Sequence, residues 1–201
     1  NFTSILQIIT RLQQVYLLEF ITESSSHRLG KQMKSDTFRV KLEKDNLVFS
    51  AAHFITFDGN ICESIHGHNY RVKCEVSGAL DENGYVVDFI ALRDTLQEIV
   101  NRLDHHVVLP TLHPTIQVAE VEKEVVVRFE DRRWVFPQQD CVLLPVANTT
   151  AELMAQYIGR ELIEKTQAKF GNQLTGLVIS VDENRGQWGV CEMDWPEKQG
   201  E

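Results

Sequence analysis

From residue 38 onward the chain alternates. Phe38, Val40 and Leu42 are separated by Arg39 and Lys41, the period-two pattern of a half-buried strand. Beyond the polar stretch Glu43–Asn46, Leu47, Phe49, Ala51 and His53 share one parity, so His53 is expected at the end of that strand's apolar face. After a loop over 54–65, a second strand places His66, His68, Tyr70, Val72, Cys74 and Val76 on one face, with Asn69, Arg71, Lys73 and Glu75 on the other. "DENG" (81–84) marks a turn.

The period then changes. Leu92, Leu96, Ile99, Val100 and Leu103 keep helical spacing after "VVDF" and predict a helix ending near "LDHH" (103–106). A second helix opens at "NTTAE", where Thr149 or Thr150 can cap it and Glu152 can complete a capping box with Thr149. Its expected buried stripe is Leu153, Met154, Tyr157, Ile158 and Leu162. Finally "TGLVISVDE" (175–183) predicts a strand, with "GQWGVCEM" (186–193) as its hairpin partner. Residues 107–147 are the least regular part, and "EVVVRFEDRRWVFP" predicts a hairpin turning at Glu130-Asp131. The order is strand, strand, helix, helix, strand, strand, with one inserted hairpin. This is an α+β pattern without a solenoid repeat.

Composition narrows the class. The 201 residues suffice for one domain with a sizeable core or one domain with extensions. A net charge of −9 argues against a nucleic-acid partner, which requires a basic face. Cys62, Cys74, Cys141 and Cys191 form no CxxC pair, so a reducing cytoplasmic setting is expected rather than a disulfide scaffold. No apolar run of membrane-spanning length occurs. "SILQIITRLQQVYLLEFI" is broken by Gln, Arg and Glu and lacks a basic start, so it reads as an amphipathic extra helix or a remnant outside the core fold rather than a signal peptide. "SSSHRLGKQMKSD" (24–36) reads as a linker, making residues 1–36 an N-terminal extension.

The candidate chemistry lies in "CESIHGHNY" (62–70). His66 and His68, two apart on a strand, project from one face, and His53 sits at the end of the strand expected to pair with it. An isolated HxH is more often a hydrogen-bonded pair. A third imidazole converging on the same face reverses that reading. Three neutral histidines with a fourth position open is the coordination of catalytic Zn²⁺, whereas structural zinc closes all four positions, usually with thiolates.

"FSAAH", "CxxxHGHNY", "GYVVDF", "LDHH", "NTTAELMA" and "VDEN" follow one another across residues 49–184. In that combination the chain resembles the 6-pyruvoyltetrahydropterin and 6-carboxytetrahydropterin synthase family over about residues 37–193, apart from an insertion at about 111–141. The resemblance implies the tunnelling fold: a four-stranded antiparallel sheet with two helices on one face, in a domain spanning 37–196. It also implies assembly into a barrel, commonly a homohexamer, with active sites at subunit interfaces. The zinc ligands would be His53, His66 and His68, and Cys62 would be the base. Asp104 and His105 would complete a triad with Cys62, within one subunit or across an interface. Glu183 would anchor the amino-pyrimidine edge of the pterin, assisted by the backbone near Thr150. The implied substrate is dihydroneopterin triphosphate.

Cys62 precedes His66 by four positions, a spacing that resembles the 6-carboxytetrahydropterin synthases of the queuosine pathway. A third group in the family uses a Glu three residues before HGH and forms 6-hydroxymethyldihydropterin for folate. Here Glu63 occupies that position, so the chain carries both groups. A 6-pyruvoyltetrahydropterin synthase of the biopterin pathway and a non-catalytic zinc- or pterin-binding relative remain alternatives.

Overall fold

The computed structural model describes residues 36–58 and 61–197. The N-terminal helix and the linker up to residue 35 expected from the sequence lie outside them. The compact unit begins at Thr37.

Strand β1 (Phe38–His53) pairs antiparallel with β4 (His66–Gly78), from Phe38↔Gly78 to His53↔His66. Between Glu43 and Val48, five residue steps of β1 face only two of β4, from Lys73 to Arg71. Three extra residues are an odd number, so the bulge flips the strand's parity. That is why burial passes from Leu42 to Leu47, Phe49, Ala51 and His53. β4 also pairs with β10 (Leu174–Asp182), which pairs in turn with β11 (Trp188–Asp194), both antiparallel.

Two helices complete the main core. Helix α1 (Phe89–Leu103) is capped by Asp88, whose carboxylate accepts from the Ile90 and Ala91 N–H groups at 2.9 and 3.2 Å. Its buried residues are the five predicted. Removing a leucine or isoleucine of this stripe from water contributes about 1.5–3 kcal/mol each. Helix α2 (Ala151–Phe170) is capped by Thr150, whose hydroxyl accepts from Leu153 N–H. The Thr149–Glu152 capping box does not form, because Thr149 is fully buried and donates its hydroxyl to the Phe54 carbonyl at 3.1 Å. Leu153 and Tyr157 flank the α2 stripe rather than filling it, with Ala155, Gly159, Thr166 and Phe170 buried instead.

The expected four-stranded sheet needs correction. The sheet has six strands in the order β11-β10-β4-β1-β5-β9, with β5 (His106–Pro110) and β9 (Cys141–Leu144) running parallel to β1. The additions are short apolar runs covered on both sides, which show no alternation for a sequence reading to detect. Val108 and Leu144 enter the main core, whereas Leu109 and Leu143 turn to a second cluster with Phe54, Ile116, Val125, Val127 and Phe129.

The inserted hairpin is likewise larger than expected. β7 (Glu124–Phe129) and β8 (Arg132–Pro137) do turn at Glu130-Asp131, but β6 (Gln117–Val121) adds a third antiparallel strand. Glu122 and Glu130 take φ of 55° and 51° at the two turns. A two-stranded ribbon, β2 (Thr56–Phe57) with β3 (Ile61–Cys62), carries the chain from β1 toward β4. No helix among the described residues is long and apolar enough to cross a membrane.

Candidate active site

The β1–β4 register brings His53 opposite His66, with His68 two positions further along the same face. Their candidate ligand nitrogens all lie within 4.8 Å of one another. Ring centroids are 4.7 Å (His53–His66), 4.8 Å (His66–His68) and 5.4 Å (His53–His68) apart.

Two of the tautomers are set by backbone carbonyls, which can only accept. His53 Nδ1–H donates to Thr149 O at 2.9 Å, and His66 Nδ1–H donates to Ser64 O at 2.9 Å. Both leave Nε2 with a free lone pair, the state a metal ligand requires. Burial, opposed by the Thr149 hydrogen bond, holds His53 below the usual imidazole range and so keeps it neutral. A tetrahedral Zn²⁺ with Zn–N bonds of about 2.0–2.1 Å would place its ligand nitrogens roughly 3.3 Å apart. Here they lie within 4.8 Å of one another, up to about 1.5 Å wider, so the three rings would draw together around an ion. The donor set therefore fits such an ion.

Carboxylates approach the cluster from two sides. Glu183, just past β10, places Oε1 3.4 Å from His53 Nε2 and 3.9 Å from His68 Nε2. The Tyr70 hydroxyl bridges, 3.2 Å from His53 Nε2 and 3.4 Å from Glu183 Oε1. Burial and the Glu183 charge push its phenol well above the usual range, so it stays protonated. Glu63 places Oε2 3.9 Å from His66 Nε2.

Asp104 and His105 form a separate pair. Where α1 ends, His105 takes φ of 60°, a left-handed conformation uncommon outside glycine. This turn lets the two residues grip Ser50 on β1: Ser50 N–H donates to Asp104 Oδ1 at 2.7 Å, and His105 N–H donates to Ser50 O at 2.7 Å. Asp104 Oδ2 then accepts from His105 Nδ1 at 2.8 Å. The Ser50 amide, with further help from His105, holds the Asp104 carboxyl below its usual range. His106 has a different task, since its Nδ1–H donates to the Asp104 backbone carbonyl at 2.6 Å.

A cleft of about 670 Å³ is lined by His68, Tyr70, Arg71, Asp104, His105 and Glu183 among others, with His68 the one member of the histidine trio on its wall and Glu63 outside it. Cys62 is not among its lining residues. Its thiol points to the Glu63 carbonyl at 3.5 Å and packs at the margin of the second core cluster. Burial pushes the Cys62 thiol up, with the Arg132 charge opposing. Within one chain, then, Asp104 and His105 meet while Cys62 stands apart from them. Thr150 serves as the α2 cap, one residue beyond the carbonyl that holds His53.

Sequence reasoning missed the Thr149 carbonyl, the Tyr70 hydroxyl and the cleft arginines Arg71 and Arg185. Only Tyr70 carried a signal, its parity with His66 and His68.

A family model described as 6-pyruvoyl tetrahydropterin synthase matches residues 42–194. A protein of Methanocaldococcus jannaschii, provisionally named a 6-carboxy-5,6,7,8-tetrahydropterin synthase, is 32% identical over 146 residues, covering 72% of this chain and 88% of the relative. The 6-carboxy-5,6,7,8-tetrahydropterin synthase of Aquifex aeolicus is 26% identical over 137 residues, 65% of this chain and 80% of that one. Among solved structures, a variant of the Plasmodium vivax 6-pyruvoyltetrahydropterin synthase, with a catalytic glutamate replaced by cysteine, superposes with a TM-score of 0.74 at 29% identity over 80% of this chain and 99% of that one. With the match running from β1 to the end of β11, the chain belongs to the 6-pyruvoyl tetrahydropterin synthase family of pterin synthases.

Proposed function

We propose that the protein is a zinc-dependent 6-carboxy-5,6,7,8-tetrahydropterin synthase acting on dihydroneopterin triphosphate. The observation that carries this is the trio His53, His66 and His68, with two Nδ1 atoms tied to carbonyls beside a cleft that also contains Asp104, His105 and Glu183. Zinc in that trio would supply Lewis-acid polarisation and acidification of the substrate's side-chain hydroxyls. Cys62 is assigned the proton abstraction next to those hydroxyls. Asp104 orients His105 for proton transfer, and this dyad meets Cys62 when a neighbouring subunit provides one of them. Glu183 accepts hydrogen bonds from the amino-pyrimidine edge of the pterin, a pairing suited to a carboxylate, with the backbone near Thr150 assisting. Arg71 and Arg185 are the cleft cations available to the triphosphate.

A second activity rests on Glu63. Its carboxylate stands 3.9 Å from His66 Nε2, whereas the Cys62 thiol packs toward the second core cluster. The Plasmodium vivax relative also relies on a glutamate. Glu63 is therefore proposed to support carbon–carbon cleavage to 6-hydroxymethyldihydropterin.

Incubation with dihydroneopterin triphosphate and chromatographic identification of the products tests both. Acetaldehyde with 6-carboxytetrahydropterin supports the first activity, and failure to turn over the triphosphate would refute the assignment. The assembly is proposed to be a homohexamer. Among the described residues β1 from Phe38 to Phe49 pairs only through β4, and β11 only through β10, so each offers an edge to a neighbouring sheet. A stable, active species of 23.1 kDa in sedimentation would contradict it.

A further inference from the structure

The insertion between β5 and β9 reaches the ribbon that carries Cys62. Arg132, the first residue of β8, donates from Nη1 to the Cys62 carbonyl at 2.6 Å and from Nη2 to the Glu63 carbonyl at 3.0 Å. A guanidinium is a rigid planar fork, so two bonds to consecutive carbonyls fix both the position and the tilt of that peptide segment. The fork is itself braced. Arg132 lies 4.8 Å over the Trp134 ring, and Trp134 stacks on Phe54 at 4.7 Å with an 18° interplanar angle. Phe54 directly follows the metal-ligand candidate His53.

A second contact comes from the start of the insertion. His113 Nδ1 accepts from the Thr115 and Ile116 N–H groups at 3.0 and 2.9 Å, so its proton is on Nε2, which donates to Thr56 Oγ1 at 2.7 Å. Thr56 pairs with Cys62 across the β2–β3 ribbon. The ribbon is thus held from both strands by side chains of the insertion.

We propose that the insertion is a built-in clamp for the reactive segment, and that Arg132 is its positioning residue, setting the Cys62 and Glu63 side chains relative to the histidine trio. The ribbon needs such support. Among the described residues its ladder consists of two residue pairs, continued by the Glu63 N–H to Ile55 O bond at 3.0 Å. A two-stranded ribbon of that size is not stable by itself. Three features make Arg132 more than a surface cation: it is half-buried, it bonds carbonyls rather than a carboxylate, and it contacts the two residues assigned to the chemistry.

The inference rests on the proposed roles of Cys62 and Glu63, but it can be tested separately from them. The full-length, zinc-loaded protein would be compared as parent, Arg132→Met, Arg132→Lys and Arg133→Met, with two readouts. The first is amide hydrogen exchange at Glu63, whose N–H belongs to the ribbon. The second is kcat and KM for product formation. Arg132→Met should exchange at Glu63 at least about tenfold faster, with α1 and α2 protection and zinc content unchanged. Its kcat should fall about 10–100-fold while KM stays within about twofold, because orientation rather than binding is lost. Arg132→Lys, a point donor that cannot fork to both carbonyls, should lie between parent and Arg132→Met. Arg133→Met, on the exposed side of β8, should match the parent in both readouts. Unchanged exchange at Glu63 in Arg132→Met would overturn the clamp, as would an equal loosening in Arg133→Met. If Arg132→Met fails to fold, Arg132→Lys decides by the same two readouts. Faster exchange in a protein whose parent shows no turnover would leave the clamp standing and refute only the assigned reaction.

Discussion

Gly189 offers a quantitative link between packing and the histidine trio. On β11 it passes so close to the start of α2 that an added Cβ would lie 2.5 Å from both Ala151 C and Glu152 N, and 2.7 Å from Ala151 Cβ. Carbon contacts normally sit at about 3.5–4.0 Å, so Gly189→Ala forces roughly a 1 Å displacement. The obstacle is backbone, not the end of a flexible side chain, and rotamer changes cannot absorb it. Overpacking of this kind costs about 1–3 kcal/mol. For a unit of this size that corresponds to a fall in Tm of about 2–12 °C. The displaced segment also includes the neighbourhood of Thr149, whose carbonyl accepts from His53 Nδ1 at 2.9 Å. Transmitted along that bond, a shift of about 1 Å would take it beyond hydrogen-bonding range. Loss of a ligand's outer hydrogen-bond partner typically weakens metal affinity about 10–100-fold. Calorimetry of the zinc-loaded and zinc-stripped forms, with competition against a chromophoric chelator, measures both effects. Gly176→Ala is the control, since its Cβ would meet nothing closer than 3.8 Å and its Tm should move by less than about 2 °C. A Gly189→Ala protein with parental Tm would refute the packing argument. A lowered Tm with parental zinc affinity would refute the link through Thr149.

Three further outcomes are expected. The double variant His66→Ala, His68→Ala should lose bound zinc by elemental analysis, and full retention would remove these residues as ligands. Cys62→Ala should lower acetaldehyde formation by about 10²–10⁴-fold with zinc retained, whereas Glu63→Ala should selectively lose 6-hydroxymethyldihydropterin. An unchanged product distribution in Glu63→Ala would reduce Glu63 to a loop carboxylate. Burial pushes the Cys74 thiol up to about 12 from an ordinary 9.0. A native value raised above the unfolded one contributes stability that is complete below about pH 9 and is lost as pH rises toward 12. Chemical denaturation across that window should show a shallower alkaline decline in Cys74→Ala than in the parent, and identical slopes would contradict the assignment.

What could be read from the sequence follows the range over which each signal acts. The α1 stripe is an intrachain period of 3.6, and all five of its predicted residues are buried. The convergence of His53 with His66 and His68 was legible because parity carries along a strand, and the alternation after Glu43–Asn46 already incorporated the bulge. β5 and β9 were not legible. Their four or five residues face core on both sides, so the polar positions that would mark a period are missing. The cap of α2 was ambiguous between two threonines because either hydroxyl could accept from the first turn. Burial decided it, since Thr149 is held by the Phe54 carbonyl and only Thr150 remains free to cap.

Several parts of the site that the sequence did not disclose act through the backbone. The Thr149 carbonyl sets the His53 tautomer, the Ser50 amide and carbonyl hold Asp104 and His105, and the Cys62 and Glu63 carbonyls receive Arg132. Every residue except proline carries a backbone donor and an acceptor, so such a partner leaves no residue-type signature. Side chains that meet other side chains select each other's chemistry and can be guessed as sets, as the three histidines were. Side chains that meet backbone select only a place in space. For this reason Arg132, which looks like one of many scattered cations in the sequence, becomes specific only once β8 and the β2–β3 ribbon are brought together. A Cys62 variant tests the reagent proposed for the reaction, whereas an Arg132 variant tests whether the fold presents it.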